Sequence, residues 1–158
     1  SAGFSKIFCL DLNDFRLEFA KKLGFETIRS DNASAIEAIL DSTDASGVDV
    51  VIVATGSLKA FRDAITFVRK GGTIVMFGVP SKGAVIDIDM STVYSKEITI
   101  TTTYAASDLN TKSALELIES GKIDVKSLIT HKYSLDDSQK AFEHAKTGNQ
   151  AMKIIIEN

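Results

Sequence analysis

Seven consecutive residues, Val48-Asp-Val-Val-Ile-Val-Ala54, constrain the fold of this chain more than any other stretch. The run is β-branched and apolar on both alternations, as expected of a central strand buried on both faces of a parallel sheet. Parallel neighbours must be reached through crossover segments, usually helices. The flanking sequence supplies them, because short apolar runs alternate with amphipathic stretches along the chain. That alternation predicts an α/β fold, a doubly wound parallel sheet with strands near Lys6, Glu26, Val48, Thr73 and Ile98.

Local signals set the expected elements. Lys6 to Asp11 reads as a strand, and Asn13 caps a helix that lines Phe15, Phe19 and Leu23 on one face before Gly24 stops it. Phe25 to Arg29 reads as a strand, and Ser34 to Leu40 as a helix with Ile36, Ile39 and Leu40 inward. Thr55-Gly-Ser57 leads into a helix presenting Phe61, Ile65 and Val68. Gly71-Gly72 punctuates before a strand from Thr73 to Val79, which Pro80 ends. Glu97 to Thr103 alternates as a strand with one wet face, which suits a sheet edge. Leu109 to Ser120 is expected as a helix with Ala114, Leu115 and Ile118 inward. Leu128 to Tyr133 is extended. A last helix runs from Asp136 to Lys146, with Ser134 and Asp136 as candidate caps and Gly148 as its stop, before a strand from Met152 to Ile156.

Composition narrows the function classes. The 158 residues suit one domain, and a net charge of −3 offers no basic face for nucleic acid. No apolar run reaches the length of a membrane span, and a cytoplasmic location is expected. One cysteine, Cys9, excludes an internal disulfide and fits a small buried hydrophobe.

Asp11 carries the chemistry. An acid closing a strand and running straight into a helix is placed to accept hydrogen bonds from the ribose hydroxyls of a dinucleotide, which favours NAD over NADP. A glycine-rich turn belongs about 20 residues before such an acid. Here the acid stands at position 11, so a dinucleotide domain lacking its first strand and glycine-rich turn is expected. The absent strand would lie between the strands at Lys6 and Val48, leaving a gap, a direct pairing of those two strands, or a place for a second copy. A turn or capping role for Asp11 competes with ribose binding.

Four segments in order, Val48 to Gly56, Gly71 to Pro80, Leu128 to Leu135 and Ala141 to Gly148, resemble the medium-chain, zinc-type alcohol dehydrogenases. The nearest branch is that of the sorbitol, threonine and butanediol dehydrogenases, and the match is to the C-terminal, cofactor-binding half. The resemblance implies a Rossmann-like NAD-binding domain over 1–107 and, over 108–158, a segment that packs back on the catalytic domain. It implies an NAD(H)-dependent oxidoreductase acting by hydride transfer on a small alcohol or polyol, inactive as this piece alone. Asp11 then matches the ribose-binding acid and Arg16 the basic residue beside the adenosine. Ala54, Thr55 and Gly56 match the strand end under the nicotinamide side, and Phe77, Gly78 and Val79 the next strand end, where backbone groups fix the carboxamide. Thr101 to Ala105, with Thr101 and Tyr104, face the same ring, and Lys153 reaches for the pyrophosphate.

No residue of the chain is assigned to catalysis or to metal. Zinc is expected only in the missing N-terminal half, and His131 and His144 are read as structural or surface histidines. Thr102-Thr103 and Ala105 depart from the family pattern and weaken a sorbitol-like substrate. A homo-oligomer through the edge strand Glu97 to Thr103 is implied. For Arg16 and Lys153 the competing role is a solvated surface cation, and for Gly56 and Gly78 it is steric relief. A non-catalytic nucleotide-binding or structural module is the alternative function. A methyltransferase is disfavoured, because the closing antiparallel hairpin of that fold has no counterpart.

Overall fold

All strand pairing in the computed structural model, which describes residues 3–32 and 34–158, is parallel. The first elements are β1 (Phe8–Asp11), α1 (Asp14–Lys22), β2 (Glu26–Arg29), α2 (Ala35–Asp41), β3 (Val48–Val53) and α3 (Leu58–Phe67). Then come β4 (Val68–Met76), α4 (Met90–Ser95), β5 (Thr99–Thr102), α5 (Asp108–Glu119), β6 (Ile129–Ser134), α6 (Ser138–Thr147) and β7 (Lys153–Glu157). Among the described residues the strands form three sheets, β1-β2, β3-β4-β5 and β6-β7. The chain divides into two compact units, one holding the N-terminal stretch to Asp31 with Ala106–Asn158, the other Asn32–Ala105.

In the first unit, α1 crosses between β1 and β2. Asn13 Oδ1 accepts from the Phe15 N–H at 2.9 Å, and Asp14 in the first turn with Lys21 and Lys22 in the last complements the helix dipole. The expected apolar face is corrected: Leu17 is the buried residue of α1, whereas Leu23, at the C-cap beyond the last helical turn, is exposed. β6 and β7 are joined by α6. Neither Ser134 nor Asp136 caps α6 with its side chain, because a 3-10 turn over Leu135–Asp137 intervenes and Asp137 takes the cap position. Gly148, at φ +62°, ends α6.

α5 forms on local signals. Asn110 N–H donates to Ser107 Oγ at 3.3 Å, and Asn110 Oδ1 accepts the Ser107 N–H at 3.1 Å, closing a capping box. Ala114, Leu115 and Ile118 nevertheless do not turn inward: no residue of α5 is buried. Caps and propensity make a helix, but burial needs an opposing surface, and its unit provides none among the described residues.

In the second unit the strand order β3-β4-β5 follows the chain, so right-handed crossovers put α3 and α4 on one face of the sheet. The core sits on that face: Val53, Phe61, Ala64, Ile65, Val68 and Ile74, with Val51, Met76, Ile86 and Ile88 packed against it. Successive side chains alternate, which sends Val50, Ile52, Thr73, Val75, Thr99 and Thr101 to the other face. β3 is therefore not buried on both faces, contrary to its composition. It is an end strand, and Ile52 is 63% exposed. Among the described residues β1 and β3 belong to separate sheets, so the direct pairing of the strands at Lys6 and Val48 is not found.

The strand expected from Thr73 begins already at Val68. Gly71-Gly72 is an irregularity within it, not a boundary: Gly71, at φ +68°, donates its N–H to Lys96 O at 2.8 Å while the β3–β4 register shifts between Val48 and Val50. Ile36, expected inward on α2, is exposed; Ala35 and Ile39 take the buried positions.

Candidate nucleotide-binding site

The first unit places Asp11 at the carboxyl end of β1, where its backbone leads into the capping turn of α1. The Asn13 N–H donates to Asp11 Oδ1 at 2.9 Å, and Arg16 Nη1 stands 3.6 Å from Oδ2. One oxygen is thus oriented by backbone and the other faces a cation, on a half-exposed carboxylate that keeps lone pairs free for hydroxyl donors. Asn13 also donates through Nδ2 to Gly148 O at 3.2 Å.

Arg16 leans against the same turn. A methyl carbon on Gly148 would lie 3.3 Å from Arg16 Nη2. Arg16 and Lys153, the first residue of β7, line a shallow hollow of about 190 Å³ floored by Gly148, Ala151 and Ile154. Two cations on one hollow, the first of them facing the Asp11 carboxylate, favour an anionic ligand with hydroxyl groups. A larger hollow of about 240 Å³ lies near the amino ends of β1 and β2, lined by Lys6, Ile7 and Glu26 among others. The smaller hollow is the one that bears on the candidate site, because Arg16, which lines it, also faces Asp11 at the carboxyl end of β1.

The second unit holds the remaining candidates at the carboxyl ends of β3, β4 and β5. Ala54, Thr55 and Gly56 follow β3, Phe77, Gly78 and Val79 follow β4, Thr101 lies in β5, and Tyr104 follows it. The Phe77 and Gly78 N–H groups both donate to Val53 O, at 3.1 and 2.8 Å. The Thr103 N–H donates to Met76 O at 3.2 Å, so the strand ends are tied in sequence. A Cβ on Gly78 would collide with the Thr55 backbone, and one on Gly56 with the Val79 carbonyl. Both glycines let two loops touch, which is the steric role weighed for them, and it leaves ligand contact open. Phe77, Val79 and Tyr104 present large uncovered side chains there, Tyr104 at 87% exposure.

Neither histidine is among the residues that line the hollow beside Arg16. His131 and His144 stack edge to face with ring centroids 4.3 Å apart. His144 bonds Tyr133 Oη at 2.8 Å and Asn149 O at 2.7 Å. Among the described residues no three His, Cys, Asp or Glu side chains converge as metal ligands. Burial pushes the Cys9 thiol up from its ordinary value, which suits an inert, half-buried side chain. The bonds from Asn13 to Gly148 and from Tyr133 to His144 were not legible in the sequence. No spacing rule relates residues 135 positions apart.

Comparison with known proteins places this arrangement. An L-threonine 3-dehydrogenase from Bacillus velezensis is 32% identical over 158 residues, covering 99% of this chain and 45% of its own length. A sorbitol dehydrogenase from Bacillus subtilis is 33% identical over 156 residues, covering 98% and 44%. The crystal structure of benzyl alcohol dehydrogenase from Acinetobacter calcoaceticus superposes with a TM-score of 0.87 at 26% identity, over 98% of this chain and 43% of that one. The chain therefore spans under half the length of these relatives. The model of the zinc-binding dehydrogenases matches residues 1–120, three quarters of the chain, and the chain belongs to that family.

Proposed function

We propose that this chain binds NAD(H) and holds it for hydride transfer to or from a small alcohol or polyol. The observation that carries this reading is Asp11, a carboxylate at the carboxyl end of a parallel strand, oriented by the Asn13 N–H and flanked by Arg16. Its free lone pairs suit the adenosine ribose hydroxyls, and its charge opposes a 2′-phosphate. Arg16 flanks the adenosine, and Lys153 neutralises pyrophosphate charge. Ala54 to Gly56, Phe77 to Val79, Thr101 and Tyr104 support the nicotinamide through the backbone groups and open surfaces at their strand ends. Bound NAD⁺ supplies the hydride acceptor. The chain's own residues bind and orient it, and none is assigned a catalytic role.

Zinc, which the family name implies, does not fit the residues present. No ligand trio converges among the described residues, and both ring nitrogens of His144 are engaged. No step is therefore routed through a metal on this chain. The apolar face of α5, with Leu115 and Ile118 uncovered, supports the packing of the 108–158 segment on a further domain. No helix among the described residues is long and apolar enough to cross a membrane. Calorimetry with NAD⁺ tests the reading: binding is expected and should weaken in Asp11→Ala. Absence of binding, or equal affinity in the two forms, would remove the assigned site.

A further inference from the structure

The turn that follows α6 is bonded by two side chains, His144 from within its own helix and Asn13 from the start of α1. Gly148 and Gln150 both have positive φ, +62° and +48°, and a non-glycine residue keeps that conformation only where its surroundings hold it. His144 supplies one such hold, beside the Ala151 N–H that donates to Gly148 O at 3.4 Å. Asn149 O can only accept, so His144 Nε2 donates to it at 2.7 Å, and in the neutral ring Nδ1 accepts from the Tyr133 hydroxyl at 2.8 Å. The imidazole thus ties the turn back to β6.

One residue before Asn149, the Gly148 carbonyl accepts from Asn13 Nδ2 at 3.2 Å. Asn13 in turn caps α1 through Oδ1 and donates its own N–H to Asp11 Oδ1 at 2.9 Å. The chain of bonds Tyr133, His144, Asn149–Gly148, Asn13, Asp11 runs entirely within the first compact unit. It brings residues near the C-terminus to bear on the acid that closes β1.

We infer that His144 is a positioning residue for Asp11: it fixes the Gly148–Gln150 turn, whose carbonyl fixes Asn13, whose N–H fixes the carboxylate presented to the ribose. This rests on the nucleotide-binding role proposed for Asp11. Removing the imidazole frees the turn, lets Asn13 Nδ2 lose its acceptor, and releases one carboxylate oxygen from its set direction. Gln at position 144 keeps one donor and one acceptor and can replace both bonds, whereas Leu can replace neither.

The test uses His144→Leu, His144→Gln, Asp11→Ala and the Asp11→Ala/His144→Leu double variant. NAD⁺ affinity is measured by calorimetry and the Asn13 amide resonance by NMR. His144→Leu should weaken NAD⁺ about three- to tenfold, the range expected for one lost hydrogen bond transmitted to a neighbour. His144→Gln should stay within about twofold of the unmodified chain. In the Asp11→Ala background His144→Leu should cause no further loss, because the effect passes through the missing carboxylate. Equal losses in both backgrounds, or the same loss for Gln as for Leu, would overturn the assignment. If His144→Leu does not fold, Tyr133→Phe removes one bond at nearly constant volume and should shift affinity in the same direction. A chain that binds no NAD⁺ at all defeats the nucleotide-binding reading instead. The positioning role is then decided by the Asn13 amide, which should move in the Leu variant and not in Gln; an amide unmoved in both overturns it.

Discussion

A carboxylate at a strand end discriminates between phosphorylated and unphosphorylated ribose by charge alone, so Asp11 should govern cofactor choice as well as affinity. Asp11→Ser removes the repulsion while leaving Arg16 in place, and the ratio of NADP⁺ to NAD⁺ affinity should rise at least about tenfold, one lost like-charge contact. Competition calorimetry with the two nucleotides measures it, and an unchanged ratio would count against Asp11 as the selector. A second acid shows what local bonding does to a titration. Asp89 caps α4, accepting from the Ser91 N–H and from the Ser91 and Thr92 hydroxyls at 2.9, 2.6 and 2.7 Å. These bonds, led by the Ser91 and Thr92 hydroxyls, hold its carboxyl down at about 2. A depressed folded value means the cap stabilises fully above the ordinary carboxylate range and fades as pH falls toward about 2. Asp89→Ala should therefore melt below the parent at neutral pH, with the gap closing as the acid limb is entered. Melting curves collected across that limb read the effect directly.

The elements differ in how much of their stability is their own. α3 and β4 meet in the core around Ile74, which has no exposed surface. Ile74→Ala should cost about 2–5 kcal/mol through lost burial and the cavity left behind, read as a shift in denaturant midpoint at unchanged slope. Gly78→Ala acts by the opposite cause, since its Cβ meets the Thr55 backbone with no flexible side chain to yield. About 1–3 kcal/mol of overpacking strain is expected, together with a separation of the β3 and β4 loop ends that carry the nicotinamide candidates. Thr55 amide shifts would report that separation. α5, by contrast, owes its helix to the Ser107–Asn110 capping box and buries nothing, so Leu115→Ala should leave the melting temperature nearly unchanged.

At the scale of the molecule, both ends of the β3-β4-β5 sheet are open among the described residues. The two edges differ in chemistry. Every residue of β5 is exposed, its side chains are mostly threonine, and Lys96 and Glu97 stand before the strand instead of along it, so little blunts that edge against pairing. A homodimer joined there about a two-fold axis is expected, and Ile100→Pro, which deletes a backbone donor, should dissociate it while leaving circular dichroism largely intact. Sedimentation at high micromolar concentration measures the outcome. A monomer in the unmodified chain would defeat the proposed contact.

Elements and their order were legible from period and punctuation. Alternating apolar runs, Asn13 as a cap, and Gly24 and Gly148 as stops are local properties that act within a turn or two of the chain. Asp11 was legible as a candidate because it closes a strand immediately before a helix. Cover was not legible. Val48 to Val53 is apolar enough for a doubly buried strand and Leu109 to Ser120 patterned enough for a packed helix, yet β3 ends its sheet and α5 buries nothing. Periodicity records which side chains would gain from leaving water; whether they leave depends on an opposing surface supplied from elsewhere in the chain. The same distinction holds at the candidate site. The types of its residues stand in the sequence, but the link from Tyr133 and His144 through Gly148 to Asn13 and Asp11 exists only where the folded chain brings those segments within hydrogen-bond reach.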